Sequence, residues 1–496
     1  MNGCYVTTAI PYVNAAPHLG HALELVQADV LARHHRSRGR PVRFLTGTDE
    51  NALKNVAAAR AAGRDVASFV TATAARYAAL RTPLALSFDD FIRTGSDRRH
   101  RLGVQRLWRR NAANGDFYRR RYEGLYCGGC EQFLARAELV DGRCGEHGTR
   151  PEPVTEENWF FRLTRYAGAV EEAIRSGRVR VEPAARRNEV LAFLRAGVAD
   201  VSVSRPAARA GGWGIPVPDD PEQVVYVWWD ALANYVTALD GPGAFRTWWT
   251  GSAERVHVIG KGILRFHAVH WLALLVSLRL PLPTTVFVHE YLTVDGVKIS
   301  KSRANAVDPV ELVDRFGGDA VRWWLLREVG GGADTDFTVT RLVQRADREL
   351  ANGLGNLANR TVSLVHRYGW RPDSDPDALA DLTAAARALP ARIDDALRRF
   401  DFAAATAAIW DVVQCGNRAV ERERPWELAR RDATARRDGV LAALVHACRV
   451  LAAECAPFIP DGAQRLRGQL GAGASVGPVG PAFARLADAV PVCAAG

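Results

Sequence analysis

The stretch CYVTTAIPYVNAAPHLGHALELVQADVLARHHRSRGRPVRFLTGTDE, residues 4–50, decides the fold. Its opening, CYVTTAI, is short, apolar and β-rich, as a buried strand should be, and Pro11 and Pro17 punctuate the loop that follows. Leu19, Leu23, Val26 and Val30 then recur at helical spacing, in a helix expected to end at Gly39. PVRFLTGTDEN reads as a second strand running into a polar loop. This β–loop–α–β order implies a parallel pair of strands, with ligand binding beyond their carboxyl ends. No G-x-G-x-x-G follows the first strand, so the dinucleotide fingerprint is missing. Something else must hold any phosphate.

Working outward, 496 residues are too many for one core. A Cys/His cluster and an Arg-rich helical stretch interrupt the α/β pattern from about 116 to 200. Strand-like segments return at QVVYVWWDAL, RVHVIGKGIL and TTVFVHEYLTV, and helical period dominates from about 341 onward. The expected layout is residues 1–115 and 201–290 as two halves of a Rossmann-like parallel α/β domain, with 116–200 as an inserted module. Residues 291–340 form a loop and stem-contact region, and 341–496 an all-α bundle. The start lacks a signal peptide, and the most apolar window, GILRFHAVHWLALLVSLRLPLP, carries two Arg and two His, so it reads as a buried helix. A net charge of +10 suits a polyanionic partner such as nucleic acid, although a general bias toward arginine explains it equally well. Eight Cys, three of them clustered, suit a reducing compartment and a metal site better than a disulfide framework.

Three constellations carry chemistry. His18 and His21 in HLGH sit at the mouth of the first βα unit, on one face of the first helical turn, where the helix end favours anions. Gly20 between them permits close approach of a base or ribose; a solvated helix cap is the plainer alternative. The loop KISKS supplies Lys298, Ser300, Lys301 and Ser302 after a turn at Gly296. Only four lysines occur in the chain, Lys54, Lys261, Lys298 and Lys301, against 65 basic residues in all, so two of the four fall in one loop. A lysine is a compact, mobile point charge that follows a triphosphate where the rigid fork of arginine does not. Cys127, Cys130, Cys144 and His147 read C-x2-C-x13-C-x2-H, a spacing that suits tetrahedral Zn2+; four protein ligands leave no open position, so the metal would be structural.

HLGH and KISKS, in this order across a split α/β domain, resemble the HIGH and KMSKS signatures of class I aminoacyl-tRNA synthetases. Residues 7–50 resemble the opening of the methionyl-tRNA synthetase family, as do WGIPVPDDPEQVVYVWWDALANYVTAL, VIGKGILRFHAVHW and LTVDGVKISKSRANAVDPVELVDRFGGDAVRWWLLRE. The resemblance implies ligation of L-methionine to tRNA(Met) through methionyl-adenylate, with Mg2+ accompanying ATP. It assigns His18, Gly20, His21, Lys298, Ser300, Lys301 and Arg205 to ATP, with His18, His21, Lys298 and Lys301 catalytic. The methionine pocket becomes Ile10, Tyr12, Asp49, Trp228, Ala231, Leu232, Tyr235, Ile263, His267 and Trp271, with Asp49 on the α-ammonium. The Cys/His set corresponds to the family's zinc knuckle, and Asn356, Arg360 and Trp426 to positions that read the anticodon. A monomer is implied, since the dimerisation module that some members append does not follow, and a cytoplasmic location is expected alongside the reducing compartment that the cysteines suit.

Three differences from the family, at four positions, cluster near the expected active site. TGTDE continues with Asn51 and Ala52 in place of His-Gly, Gly262 replaces an acidic residue, and Ile299 replaces the Met of the lysine loop. They leave open a specialised or inhibitor-resistant paralogue, or a non-catalytic tRNA-binding relic, beside the housekeeping reading.

Overall fold

The computed structural model describes residues 2–134, 136–145, 148–299, 305–330 and 332–487. They divide into two compact units. One comprises the chain up to Pro17 with Arg38–Leu80 and Ser87–His289; the other comprises His18–Ser37, Arg81–Leu86 and the chain from Glu290 onward.

The first unit is built on a six-stranded parallel sheet in the order Asp90–Arg93, Val42–Thr48, Cys4–Thr8, Glu254–Gly260, Thr285–His289, Arg180–Glu182. Strand Cys4–Thr8 is buried at every residue, with Val6 opposite both Phe44 and Val256, as a central parallel strand requires. Strand order runs outward from it in both directions, so its carboxyl end is the switch point where such sheets bind ligands. Ile10, Tyr12, Asp49 and Ile263 all follow strand ends there. Gly47 is forced by closeness: a Cβ would lie 2.1 Å from the Ile92 carbonyl oxygen.

Between strands Asp90–Arg93 and Arg180–Glu182 the chain makes three strands of a four-stranded sheet, ordered Val201–Ser202, Glu152–Phe161, Phe117–Cys127, Gln132–Leu134, whose edge strand Val201–Ser202 comes after Arg180–Glu182. Its Cys-rich end carries the turn Cys127–Cys130. The fold is thus a parallel α/β sheet interrupted by an antiparallel module, as expected. Two details differ. Strand Arg180–Glu182, within the span read as insertion, closes the edge of the parallel sheet. In QVVYVWWDAL the strand stops at Val225, and Val227–Thr237 is a helix. The apolar window is a helical run, Phe266–Trp271 and Leu272–Ser277, mostly buried. Among the described residues no helix is long and apolar enough to cross a membrane.

The second unit is mainly helical. It holds helix Leu19–Ser37, whose Leu19, Leu23, Val26 and Val30 have no exposed surface. It also holds the hairpin Leu292–Val294/Val297–Lys298, turned at Asp295 (φ 54°) and Gly296 (φ 71°), the Asp-Gly pair that such two-residue turns favour. Helices Pro309–Phe316 and Gly318–Arg327 lead to the bundle Asn356–Tyr368, Ala380–Arg398, Phe402–Glu423, Thr434–Glu454 and Pro460–Leu470.

A buried guanidinium fastens these pieces. Arg322, fully buried, lies 2.8 Å from Asp29 of helix Leu19–Ser37. It also donates to the carbonyls of Leu84 (2.9 Å), Pro457 (2.8 Å) and Phe458 (2.8 Å). Burial pulls the guanidinium below its ordinary pKa, and Asp29 opposes that pull. Removing it would strand a buried carboxylate and three carbonyls, which costs about 3–5 kcal/mol. We expect Arg322→Met to lose that much in urea unfolding at pH 7, and Asp29→Asn, which keeps the carbonyl bonds, to lose less. A loss below about 1 kcal/mol for Arg322→Met would contradict the assignment.

Candidate active site

In the first unit, Tyr12 and Asp49 form a parallel bridge, and the Asp49 N–H donates to the Pro11 carbonyl at 2.9 Å. Asp49 is 2% exposed. Burial pushes its carboxyl well above the ordinary value and nearby Asp230 pushes it further, while the Asn51 N–H (3.3 Å) and Lys54 work the other way. Asn51 also donates to Asp230 at 3.0 Å, and His100 lies 3.6 Å from the other oxygen of Asp230. Two carboxylates held out of water in one place call for a cation. Asn51, which departs from the family, is therefore a working hydrogen-bond donor. Ala52, the other departure, is fully buried against Tyr226 and Val227.

The walls are aromatic. Trp228 stacks on Phe266 at 3.7 Å and meets Tyr12 edge-on at 6.0 Å. Ile10, Tyr12, Trp228 and Ile263 are half-buried, whereas Ala231, Leu232, Tyr235, His267 and Trp271 lie behind them, each at most 6% exposed. That rear layer is hydrogen-bonded in one direction. Burial holds His257 well below its usual pKa and His267 at about 4, so both rings are neutral near pH 7. Nδ1–H of His267 donates to the Ile263 carbonyl (2.9 Å), leaving Nε2 to accept from the Tyr235 hydroxyl (2.7 Å). Trp271 donates to Nε2 of His257 (3.1 Å), so Nδ1–H of His257 faces Thr7 Oγ1 (2.6 Å).

Arg205, expected at ATP, is 6% exposed and engaged elsewhere. Its guanidinium pairs with Glu131 (3.4 Å), donates to the Tyr126 hydroxyl (3.0 Å) and covers the Tyr226 ring at 4.6 Å. Glu131, Lys54 and Phe266 are pocket neighbours that sequence reasoning missed. Only the rarity of lysine marked Lys54, and no local pattern marked the other two.

The sulfurs of Cys127, Cys130 and Cys144 lie within 4.8 Å of one another, with Cys130 and Cys144 3.4 Å apart. That is too far for a disulfide bond and close to the ~3.8 Å edge of a tetrahedron with Zn–S bonds of ~2.3 Å. All three are buried. The set fits a metal; His147 lies outside the described residues.

In the second unit, His18 precedes helix Leu19–Ser37 and stacks on His21 at 3.8 Å. The Gly20 N–H donates to Nδ1 of His18 and the His18 N–H to Nδ1 of His21, both at 3.1 Å. Each neutral ring therefore carries its proton on Nε2, as a donor. A Cβ at Gly20 would stand 3.0 Å from the His18 ring, so glycine permits this stack. The Leu19 N–H donates to the Val307 carbonyl at 2.9 Å, fastening the histidine helix to the chain just beyond the lysine loop. At the loop's base the Asn305 side chain donates to the carbonyls of Val297 and Lys298, both at 3.2 Å. The Lys298 ammonium sits 3.6 Å over the Tyr291 ring, and Ile299 is buried. Ser300, Lys301 and Ser302 lie outside the described residues.

In the bundle, Asn356 is exposed at the start of its helix, after a π-helical stretch Ala346–Gly355. Arg360 pairs with Glu421 at 2.6 Å. Trp426 is half-buried on helix Pro425–Arg430, which packs against Asn356–Tyr368.

A parallel α/β sheet with a histidine-capped helix, a lysine loop, a cysteine knuckle and a helical bundle defines a class I tRNA synthetase. The family model described as "tRNA synthetases class I (M)" matches residues 4–150 and 135–362, and the chain belongs to this family, among its methionine–tRNA ligases. A methionine–tRNA ligase of Caldanaerobacter subterraneus is 40% identical over 476 residues, covering 94% of this chain and 74% of that protein. Another, of Thermosynechococcus vestitus, is 40% identical over 480 residues, covering 94% and 89%. The Mycobacterium tuberculosis methionyl-tRNA synthetase bound by methionyl-adenylate superposes with a TM-score of 0.91 at 36% identity, over 97% of this chain and 100% of that one.

The depressed histidines give a pH signature. Between the ordinary value of 6.5 and about 4, the unfolded chain takes up protons that folded His267 refuses, so stability falls as pH falls through that window. We expect unfolding free energy to decline from pH 6.5 to 4.5 in urea titrations, and His267→Gln to show a shallower slope. An unchanged slope would remove His267 from the account.

Proposed function

We propose that this chain joins L-methionine to tRNA(Met) in two steps, with the amino-acid pocket around Asp49 and the phosphate side around His18 and His21. The observation that carries the reading is the Asp49–Asp230 pair, Asp49 after a strand end and Asp230 in the first turn of helix Val227–Thr237, both buried beside an aromatic wall, a seat for an ammonium with an apolar side chain. The α-ammonium of methionine binds Asp49, and bringing a cation there relieves the desolvated carboxylate. The thioether lies against Tyr12 and Trp228, whose faces suit polarisable sulfur. Ile10, Ala231, Leu232, Tyr235, Ile263, His267 and Trp271 shape the rest.

A methionine carboxylate oxygen attacks the α-phosphorus of ATP, the bond to the bridging oxygen breaks, and pyrophosphate leaves with Mg2+. Charge grows on the phosphate oxygens, where the Nε2–H donors of His18 and His21 and the ammonium groups of Lys298 and Lys301 stabilise it, with Ser300 and Gly20 at the same phosphates. Arg205 contributes through the wall it holds with Glu131. A terminal ribose hydroxyl of the tRNA then attacks the acyl carbon and AMP departs. Asn356, Arg360 and Trp426 pair with and stack on anticodon bases, as single strands are read. Cys127, Cys130, Cys144 and His147 hold one structural Zn2+. The enzyme acts as a cytoplasmic monomer.

ATP–pyrophosphate exchange with a panel of amino acids tests the reaction: exchange with methionine is expected, and none with any amino acid would overturn it. Charging of tRNA(Met) then tests the bundle assignment. Lys301→Arg should slow exchange at least tenfold while leaving methionine binding intact. An unaffected rate would show that the guanidinium serves as well as the point charge.

A further inference from the structure

Lys54 has no part in the reaction as described, yet its side chain is built in at both ends. It lies in the first turn of helix Leu53–Ala61, and its ammonium sits 3.8 Å over the centre of the Tyr12 ring. The same ammonium donates to the carbonyl of Gly129, at 3.0 Å, in the turn between Cys127 and Cys130. Its own backbone N–H donates to Glu131 Oε1 at 2.8 Å.

Glu131, the residue after Cys130, has no exposed surface and a left-handed backbone, φ 54°. Its carbonyl accepts from Nε1–H of Trp228 at 3.1 Å and from the Tyr226 hydroxyl. Its carboxylate accepts from Lys54 N–H and the Tyr126 hydroxyl and pairs with Arg205. The knuckle loop thus grips both half-buried aromatic walls, Tyr12 through the Lys54 ammonium and Trp228 through the Glu131 carbonyl.

We propose that Lys54 and Glu131 are positioning residues for the amino-acid pocket, through which the knuckle loop sets the gap between Tyr12 and Trp228 and so the side chain that is accepted. The inference deepens the methionine reading and rests on it. An apolar slot separates side chains differing by one methylene by only about 10–200-fold, so a small displacement of one wall is enough to erode the choice. A cation over a ring face is directional, and a buried hydrogen bond to an indole fixes the ring plane. Together they hold two walls that otherwise touch only edge-on.

The test uses the full-length, zinc-loaded protein and measures methionine binding by calorimetry without ATP, alongside exchange kinetics and zinc content per chain. Lys54→Met keeps the apolar stem and removes the charge. We expect its Kd for methionine to rise about tenfold, kcat and the KM for ATP to stay within about twofold, and the preference for methionine over leucine to fall. In a Tyr12→Leu background the same substitution should have little further effect, because the ring it acts through is gone. Glu131→Gln, which keeps the carbonyl, should weaken methionine binding several-fold with zinc retained. If Lys54→Met binds methionine within twofold of the parent, or if its effect persists in full without Tyr12, the proposal is overturned. It is also overturned if lost zinc accounts for the change and reloading restores affinity. Absence of exchange in the parent protein would instead sink the reaction itself, which the calorimetric arm distinguishes.

Discussion

The charge of Arg322 cannot reach water, and the second unit is arranged around that fact. A guanidinium presents five N–H donors in a plane, and a buried one must find acceptors for them. Here they come from a carboxylate on the histidine helix, from the Arg81–Leu86 segment and from the end of helix Thr434–Glu454. Such a node is satisfied only when all its segments are in place together. The helix presenting His18 and His21 therefore takes its placement from residues hundreds of positions away, and the stacked imidazoles inherit it.

Charge is managed differently in the first unit. Asp49 and Asp230 are kept in surroundings that disfavour their ionisation, while His257 and His267 are kept neutral by the same burial. The pocket therefore combines a strained demand for one cation with a rear wall that carries no charge of its own. On the proposed reading, selectivity for an amino acid with an uncharged, soft side chain follows from that division. Asn51 and Ala52 fit the pattern, one as a donor to Asp230 and the other as filler beneath Tyr226 and Val227.

Much of this was legible in the sequence because the deciding signals are local. The strand CYVTTAI, the spacing of Leu19, Leu23, Val26 and Val30, and the Asp-Gly turn at 295–296 each state their own structure. QVVYVWWDAL misled because Val and Trp favour strands, while the helix from Val227 is held by burying Trp229, Leu232, Ala233 and Val236 in the core. Glu131 was invisible for another reason. Its partners lie at 54, 126, 205, 226 and 228, and no window of sequence contains them. The same distance hid Arg205's engagement.

The seat of Lys54 sets its ammonium against the Gly129 carbonyl and the face of the Tyr12 ring, an arrangement suited to a compact point charge more than to the planar fork of a guanidinium. Arginine supplies 61 of the chain's 65 basic residues (65 less the four lysines), so a lysine at this seat stands against the prevailing composition. On the proposed reading the four lysines, Lys54, Lys261, Lys298 and Lys301, all fall in segments given to the synthetase chemistry, where the shape of the cation counts as well as its charge.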